Sequence, residues 1–386
     1  MKTRLSLIIT TGLAIFSMFF GAGNLMFPIK VGLNAGNQTI LAMCGFMITA
    51  ILLPALGLIA MILFDGNYYK FFKRVGEIPG ELMIFACMLV IGPVIAMPRI
   101  TTLSYTMIAP FIPNISLWLF SILFLGFTFL ATYRENKIID LLGWIISPVL
   151  LLSLIIIITV GIINGDTQTI TSADTISLLL SNIKYGYQTL DVLGGIFFAS
   201  IAINILKSKF KQQNESTQTN KLAIIGGISS IIGTSLLGII YFGLGLLGSL
   251  FGAGLESANE GELFSAVSFR IIGQHGAFLI ATAVLMACFS TIIALAAIVS
   301  EYLQNTIFQR KINYVHALII VLTLAFIPAN FGLGPILSFS APLIEIGYPC
   351  IIVLMCANIF YKLFGIRLVK IPVLLTLLFS IYIYFN

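Results

Sequence analysis

Long apolar runs alternate with short polar segments along the whole chain. The runs have roughly the 18 to 28 residues that a helix rising about 1.5 Å per residue needs to cross a ~30 Å hydrocarbon core. No run alternates apolar and polar residues over about ten positions, as strands of a membrane β-barrel would. The pattern therefore predicts an all-α integral membrane protein. About eleven transmembrane helices are expected, at residues 5–33, 38–64, 81–110, 116–133, 139–163, 184–206, 221–248, 274–302, 314–331, 335–362 and 371–385.

The composition agrees with this class. Apolar residues make up 59% of the chain and charged residues 9%, and the mean hydropathy is +1.09, which lies far outside the range of soluble globular proteins. The longest polar stretch, KSKFKQQNESTQTNK at residues 207–221, predicts a flexible charged linker between the sixth and seventh spans. Residues 1–386 are thus expected to form a single transmembrane domain.

Two spans are interrupted near their middles by glycine next to polar residues. The first contains FFGAGNLMFP at residues 19–28, and the sixth contains TLDVLGG at residues 189–195. Because these spans are five apart, an odd number, the second half would enter the membrane in the opposite orientation. Paired discontinuous helices of this kind indicate an inverted repeat. We expect repeats over residues 5–163 and 184–362, followed by an extra helix at 371–385.

A break at membrane depth is useful when something completes the hydrogen bonds of the interrupted backbone. Amides freed at the start of one half-helix attract a carboxylate, and carbonyls freed at the end of the other attract a small cation. Glycine permits the unusual backbone, and Asn24 adds a side-chain oxygen. In the alternative interpretation, Gly21 and Gly23 only let neighbouring helices approach closely.

The net charge of +6 reflects membrane orientation rather than nucleic-acid binding. With a cytoplasmic N-terminus, sixteen Lys and Arg residues fall on the inner side, and only Lys30, Arg99, Lys184 and Arg270 fall on the outer side. This asymmetry follows the positive-inside rule.

Cysteine and histidine give no sign of a disulfide, a metal site or an enzyme. The cysteines at 44, 87, 288, 350 and 356 all lie in apolar spans without a CxxC pair, and His275 and His316 are far apart. Such cysteines are typical of small buried apolar residues.

Three ionisable residues lie within apolar spans, namely Arg99, Asp191 and Glu345. Each is costly at membrane depth and calls for a partner. The predicted topology places all three in the outer half of the membrane. They are candidates for a gate over the external entrance, and a static pair that fixes helix packing is an equal alternative.

Five strings in the chain resemble one known family. They are GLAIFSMFFGAGNLMFP at 12–28, GPVIAMPRITTLSY at 92–105, GYQTLDVLGGIFFA at 186–199, ACFSTIIAL at 287–295 and FSAPLIEIGYPCIIVLM at 339–355. In this order they resemble the bacterial branched-chain amino acid:cation symporters, which belong to a superfamily of five-plus-five inverted-repeat transporters. The chain departs from the family by lacking a twelfth helix, which leaves the oligomeric state open.

The resemblance implies a sodium site between the first-helix break and the eighth helix. Ala287, Ser290 and Thr291 have the i, i+3, i+4 spacing that shares one helix face. The family's pattern adds the carbonyls of Ser17 and Phe20, so that all five ligands would be oxygens, as a hard cation prefers. In the alternative interpretation, the two hydroxyls only bond to their own helix.

The resemblance also implies where the amino acid binds. Its carboxylate would contact amides near Ala22, Gly23 and Asn24, and the sixth-helix break at Leu193, Gly194 and Gly195 would lie opposite. The residues around the branched side chain, and the preference among leucine, isoleucine and valine, cannot be read from the sequence. The expected function is sodium-coupled import of these amino acids across the bacterial cytoplasmic membrane, with no cofactor and with lipid as the surrounding partner.

Other functions were weighed. A proton-coupled carrier of the same fold for another small amino acid or solute is the nearest alternative, with Asp191 or Glu345 carrying the proton. A channel would favour a continuous polar pore lining. A membrane aspartyl protease would need a glycine–aspartate motif beside its paired acids. GLGLLG at 243–248 lacks the preceding strand of a dinucleotide site.

The charge asymmetry predicts the topology. The N-terminus and the linker near Gln212 should face the cytoplasm, and Asn386 should face outward because eleven is odd. Single cysteines placed in a cysteine-free background should react with an impermeant thiol reagent from outside at position 386 and not at position 212. The reverse labelling pattern would contradict the assignment.

Overall fold

The computed structural model describes residues 4–112, 114–133, 146–165, 174–212, 219–255 and 260–385. Part of the fifth predicted span and Asn386 lie outside these residues. The described residues form helices and no β-strand. The α-helices are α1 Arg4–Phe19, α2 Ala22–Ala35, α3 Thr39–Met47, α4 Leu53–Leu63, α5 Tyr68–Phe72, α6 Glu77–Leu89, α7 Ala96–Ile108, α8 Leu117–Thr132, α9 Ser147–Asn164, α10 Thr175–Tyr187, α11 Asp191–Gln212, α12 Thr219–Phe251, α13 Glu260–Tyr302, α14 Tyr314–Ala329, α15 Leu333–Phe364 and α16 Lys370–Phe385.

The described helices are long and apolar enough for a membrane. Seven stretches have at least 18 residues: Gly23–Leu63, Glu77–Ile108, Ser147–Asn164, Thr175–Ile203, Ile224–Phe251, Val284–Ile307 and Leu333–Phe364. Four further apolar helices are shorter, at Leu5–Phe19, Leu117–Thr132, Tyr314–Ala329 and Lys370–Phe385. The predicted all-helical membrane fold is confirmed, and the number of eleven crossings stays a prediction.

The helices differ in how much of their surface the protein covers. In the most apolar part of Thr175–Ile203, 89% of the residues are buried inside the protein, against 33% for Ser147–Asn164. α11 is therefore a central element, whereas α9 presents most of its apolar surface outward. α1 and α2 are also mostly buried, so both predicted discontinuous helices lie in the interior.

The predicted break in the first helix is confirmed. α1 ends at Phe19, α2 begins at Ala22, and Gly21 between them has an extended backbone with φ −112° and ψ −159°. A Cβ atom on Gly21 would lie 3.0 Å from Oγ1 of Thr291 on α13. Glycine is thus needed here for close approach to α13 rather than for a left-handed conformation.

The break in the sixth helix lies earlier than predicted. α10 ends at Tyr187 and α11 begins at Asp191, and Leu190 between them has φ +64°, a left-handed conformation that is uncommon for a bulky residue. The prediction of a break at Leu193, Gly194 and Gly195 was wrong, since all three lie within α11. Gly195 instead permits close helix packing, because a Cβ there would lie 2.6 Å from the Pro54 carbonyl oxygen of α4.

A third irregularity interrupts the third span. The π-helical turn Val90–Val94 separates α6 from α7, and Gly92 within it has the non-helical angles φ −97° and ψ −126°. Pro93 adds to the disruption because it lacks a backbone N–H group. This irregularity was not predicted. It sets the direction of α7, which carries Arg99 into the interior.

Glycine contacts hold both halves of the first helix against α12. A Cβ on Gly233 of α12 would lie 2.7 Å from a methyl carbon of Ile15 on α1. Further along, a Cβ on Gly32 of α2 would overlap the Gly245 carbonyl oxygen, and one on Gly248 would overlap the Ile29 carbonyl oxygen. Close backbone approach through small residues is a common way to pack helices in membranes.

This packing predicts a stability difference between two Gly→Ala substitutions. Gly32→Ala should lower the free energy of unfolding by about 1 to 3 kcal/mol, because α2 must move away from α12 to admit the methyl group. Gly126→Ala on α8 is the matched control, since no atom lies within 4 Å of its added Cβ. Thermal unfolding of both variants in the same detergent tests this, and equal stability would contradict the close contact.

Candidate functional site

A small cavity of about 40 Å³ lies between the two helix breaks. Four parts of the chain line it: the end of α1 with the start of α2, the third span around α7, the 188–190 break with α11, and α13. The lining residues are Phe19, Gly21, Gly23, Asn24, Ile91, Ala96, Arg99, Ile100, Thr189, Leu190, Asp191, Gly194, Phe198, Thr291 and Leu295. The two predicted discontinuous helices thus meet at one site.

Asp191 is the buried acidic residue of this cavity. It begins α11, where the partial positive charge of the helix end favours a carboxylate. Asn24 Nδ2 donates hydrogen bonds to its Oδ1 at 2.9 Å and its Oδ2 at 2.8 Å, and Tyr241 Oη donates to Oδ2 at 2.7 Å. Asn24 Nδ2 also contacts Tyr241 Oη. These bonds join the starts of α2 and α11 to α12.

Tyr348 of α15 accepts a hydrogen bond on its Oη from the Val192 N–H at 2.9 Å. The N–H of Asp191 bonds to Thr189 Oγ1 at 3.4 Å. The first amides of α11 are therefore engaged by the protein itself. Tyr241 and Tyr348 were not predicted, because each lies in an apolar run where an aromatic residue usually belongs to the core. A single polar atom in such a run gives no periodic signal.

Arg99 is the buried basic residue of the cavity, with 3% of its surface exposed. Its Nη2 donates to the Gln188 carbonyl oxygen at 2.8 Å, and its guanidinium carbon lies 5.1 Å from the centre of the Phe27 ring. A Cβ on Gly23 would overlap Nη2. Arg99 thus contacts residues at both breaks, and Gly23 leaves the room that its guanidinium occupies.

The three predicted gate residues do not form one cluster. Arg99 and Asp191 line the same cavity, whereas Glu345 lies on the exposed surface of α15 and is not a lining residue. The predicted depth of Glu345 along its helix does not decide which face of that helix it occupies. A gating role for Arg99 and Asp191 stays a prediction.

Four of the five predicted cation ligands, all except Phe20, are joined by hydrogen bonds. Ser290 Oγ on α13 donates to the carbonyl oxygens of Ser17 and Ala287, both at 2.8 Å. Thr291 Oγ1 donates to the Met18 carbonyl oxygen at 3.0 Å and to that of Ser17 at 3.4 Å. Both hydroxyls therefore reach across to the end of α1, and Ser290 also bonds within its own helix.

This group of residues fits a small hard cation. Ser17 and Ser290 are fully buried and Thr291 is 7% exposed. The Ser17 side-chain oxygen is buried without a hydrogen-bond partner among the described residues, so an additional oxygen ligand is available there. Carbonyl and hydroxyl oxygens are the ligands that such a cation prefers. Phe20 lies in the break beside them, and Met18 contributes a carbonyl that was not predicted.

Only some of the predicted substrate-binding residues line the cavity. Gly23, Asn24 and Gly194 line the cavity, whereas Leu193 and Gly195 are not among its lining residues. Ala22 begins α2. The remaining lining is largely apolar, and Phe19 packs edge-to-face on Phe198 with ring centres 5.7 Å apart. The cavity therefore has a charged end and an apolar end.

Solved transporter structures share this fold. A manganese transporter of Eremococcus coleocola has a TM-score of 0.63 at 14% identity, with 99% of this chain and 88% of that chain covered. MHP1, a nucleobase-cation-symport-1 family transporter, has a TM-score of 0.66 at 13% identity, with 97% and 91% covered. A Na⁺-coupled sialic acid symporter has a TM-score of 0.60 at 13% identity, with 97% and 88% covered. These likenesses confirm the predicted inverted-repeat transporter fold.

Other proteins have higher sequence identity to this chain than these solved structures have. The chain is 31% identical to the branched-chain amino acid permease BraB of Bacillus subtilis over 93% of its length and 81% of that protein. It is 28% identical to the branched-chain amino acid permease BrnQ of Escherichia coli over 97% of its length and 85% of that protein. The model of the family described as branched-chain amino acid transport protein matches residues 5–386. The chain therefore belongs to this family of membrane carriers, which are not enzymes.

Proposed function

We propose that the protein is a secondary active transporter that imports leucine, isoleucine or valine together with sodium across the bacterial cytoplasmic membrane by alternating access. The observation that carries this proposal is a single cavity bounded by both helix breaks. It has opposite charges at one end, apolar residues at the other, and a group of buried oxygens beside it. The sequence relatives BraB and BrnQ are branched-chain amino acid permeases, which supports the same substrate class.

The charged end suits a zwitterion. The first N–H groups of a helix have no partner within that helix and attract an anion. At the start of α11 this attraction is already met by Asp191 and by the bonds to Tyr348 and Thr189. The start of α2 at Ala22 and Gly23, together with Arg99, is therefore left to hold the substrate carboxylate.

Asp191 is then the group that receives the substrate ammonium. Its two oxygens accept from Asn24 and Tyr241, and a carboxylate has about four acceptor positions, so capacity remains. Asn24 and Tyr241 would hold the carboxylate in place when the site is empty of substrate. Recognition of both charges selects α-amino acids over keto acids and over amines.

Sodium would bind where Ser290 and Thr291 meet the carbonyls of Ser17, Met18 and Ala287. On binding, the two hydroxyl hydrogens would turn away and their oxygens would face the ion. α1 and α2 share one break, so an ion that fixes the end of α1 also fixes the start of α2, where the carboxylate rests. Each ligand then binds better in the presence of the other.

Uptake into proteoliposomes tests the proposal. Radiolabelled leucine should accumulate when an inward sodium gradient is imposed without a proton gradient, and unlabelled isoleucine and valine should compete. Liposomes without protein are the control. Absence of leucine uptake under every gradient would contradict the carrier function itself.

A proton-coupled carrier is the second candidate, and the observation that favours it is the buried carboxylate of Asp191 in the cavity. A carboxyl group that gains and loses a proton as the cavity opens to each side would couple transport to pH. The same proteoliposomes distinguish the two. Leucine uptake driven by an inward proton gradient and indifferent to sodium would overturn the sodium assignment while leaving the carrier function intact.

A double substitution tests the ion site. Ser290→Ala with Thr291→Ala removes both hydroxyl ligands, so the sodium concentration that gives half-maximal leucine uptake should rise at least roughly tenfold, in line with the loss of about 1.4 kcal/mol or more. Leucine affinity extrapolated to saturating sodium should change far less. Ser153→Ala on α9 is a matched control, since its hydroxyl donates to the Val149 carbonyl of its own helix. An unchanged sodium dependence in the double variant would contradict the site.

A further inference from the structure

The apolar end of the cavity has a structural limit on its size. Gly194 of α11 lines the cavity, and a Cβ atom there would lie 3.2 Å from Cε1 of Phe19 and 3.2 Å from Cε2 of Phe198. Both distances are tighter than ordinary van der Waals contact. A side chain at position 194 would therefore press on two rings that line the cavity.

The two rings have little freedom to give way. Phe19 is 2% exposed and Phe198 is 3% exposed, and their planes meet at 88° in an edge-to-face arrangement, which is a favoured geometry for an aromatic pair. Interiors packed to this extent resist displacement of side chains by even one methylene group. A methyl group at position 194 would therefore crowd both rings and change the shape of the cavity that they line.

α11 is also fixed from behind. Gly195 packs on the Pro54 carbonyl of α4, and Phe197 stacks on Phe72 with ring centres 5.9 Å apart and contacts Tyr68 at 5.4 Å. The helix thus has no room to retreat from the cavity toward α4 or α5. This packing fixes the position of the α11 backbone beside the cavity.

We propose that Gly194, Phe19 and Phe198 form a size filter for the substrate side chain, which admits a branched four-carbon side chain and disfavours larger ones. This inference rests on the proposed function, since it assigns the apolar end of the cavity to the substrate side chain. The filter acts through available volume, because every residue in it is apolar. It therefore discriminates by length and bulk and leaves recognition of the charged groups unchanged.

Competition for uptake of radiolabelled valine tests the filter in proteoliposomes. In Gly194→Ala the half-inhibiting concentration of leucine should rise roughly tenfold relative to that of 2-aminobutyrate, whose side chain is two carbons shorter. In Phe198→Leu, which removes a ring, the half-inhibiting concentration of phenylalanine should fall relative to that of unlabelled valine. Gly126→Ala is the control, because its added methyl group contacts nothing within 4 Å.

The outcomes separate the filter from the function. A wild-type protein that takes up no branched-chain amino acid refutes the proposed function. If the wild type takes up branched-chain amino acids but the competitor ratios are unchanged in both variants, the filter alone is overturned. The same holds if inhibition by all the amino acids weakens equally. If Gly194→Ala yields no folded protein, the phenylalanine-to-valine ratio in Phe198→Leu decides, since removal of a ring relieves crowding instead of adding to it.

Discussion

The hydrogen bonds that Asp191 accepts from Asn24 and Tyr241 are the interaction on which the rest of the site depends. They join the first turn of α2 to the first turn of α11, and they join both to α12. Without such a connection, two interrupted helices would leave polar backbone and a carboxylate unsatisfied in an apolar interior, at a cost of several kcal/mol. The breaks and the network that satisfies them are therefore one structural unit.

This unit makes the two half-helix starts unequal. Both starts have the same partial positive charge. The start of α11 carries Asp191, and its first amides bond to Tyr348 and Thr189. At the start of α2, Arg99 instead lies over Gly23. One end of the cavity thus presents a positive surface and a negative surface side by side. The apolar end follows from α11 as well, because the same helix places Gly194 and Phe198 beyond Asp191.

Much of this architecture was predictable from residue order. Apolar run lengths gave the class, and the polar interruption in FFGAGNLMFP gave the first break, because glycine and asparagine in a membrane helix break a strong pattern. The i, i+3, i+4 spacing and the family resemblance brought Ala287, Ser290 and Thr291 together with Ser17. Local pattern sufficed for the class, the first break and the shared face of α13, whereas the pairing with the distant Ser17 came from the family resemblance.

The missed features depend on contacts between distant segments. The sixth break lies at 188–190, since Gly194 and Gly195 serve cavity width and contact with α4, and no sequence signal distinguishes a packing glycine from a glycine at a break. Leu190 between the half-helices has a positive φ, which a leucine in an apolar run does not signal. Tyr241 and Tyr348 lie in apolar runs, and the position of Glu345 on an exposed face of α15 depends on how that helix is rotated against its neighbours.

The central claim is that one broken helix couples the sodium site to the substrate site. Titration calorimetry of leucine binding to the purified protein, in sodium chloride and in matched choline chloride, tests it most directly. If the break couples the two sites, sodium should strengthen leucine binding by a factor of roughly 5 to 150, and leucine should strengthen sodium binding by the same factor. Equal leucine affinity in the two salts would contradict it.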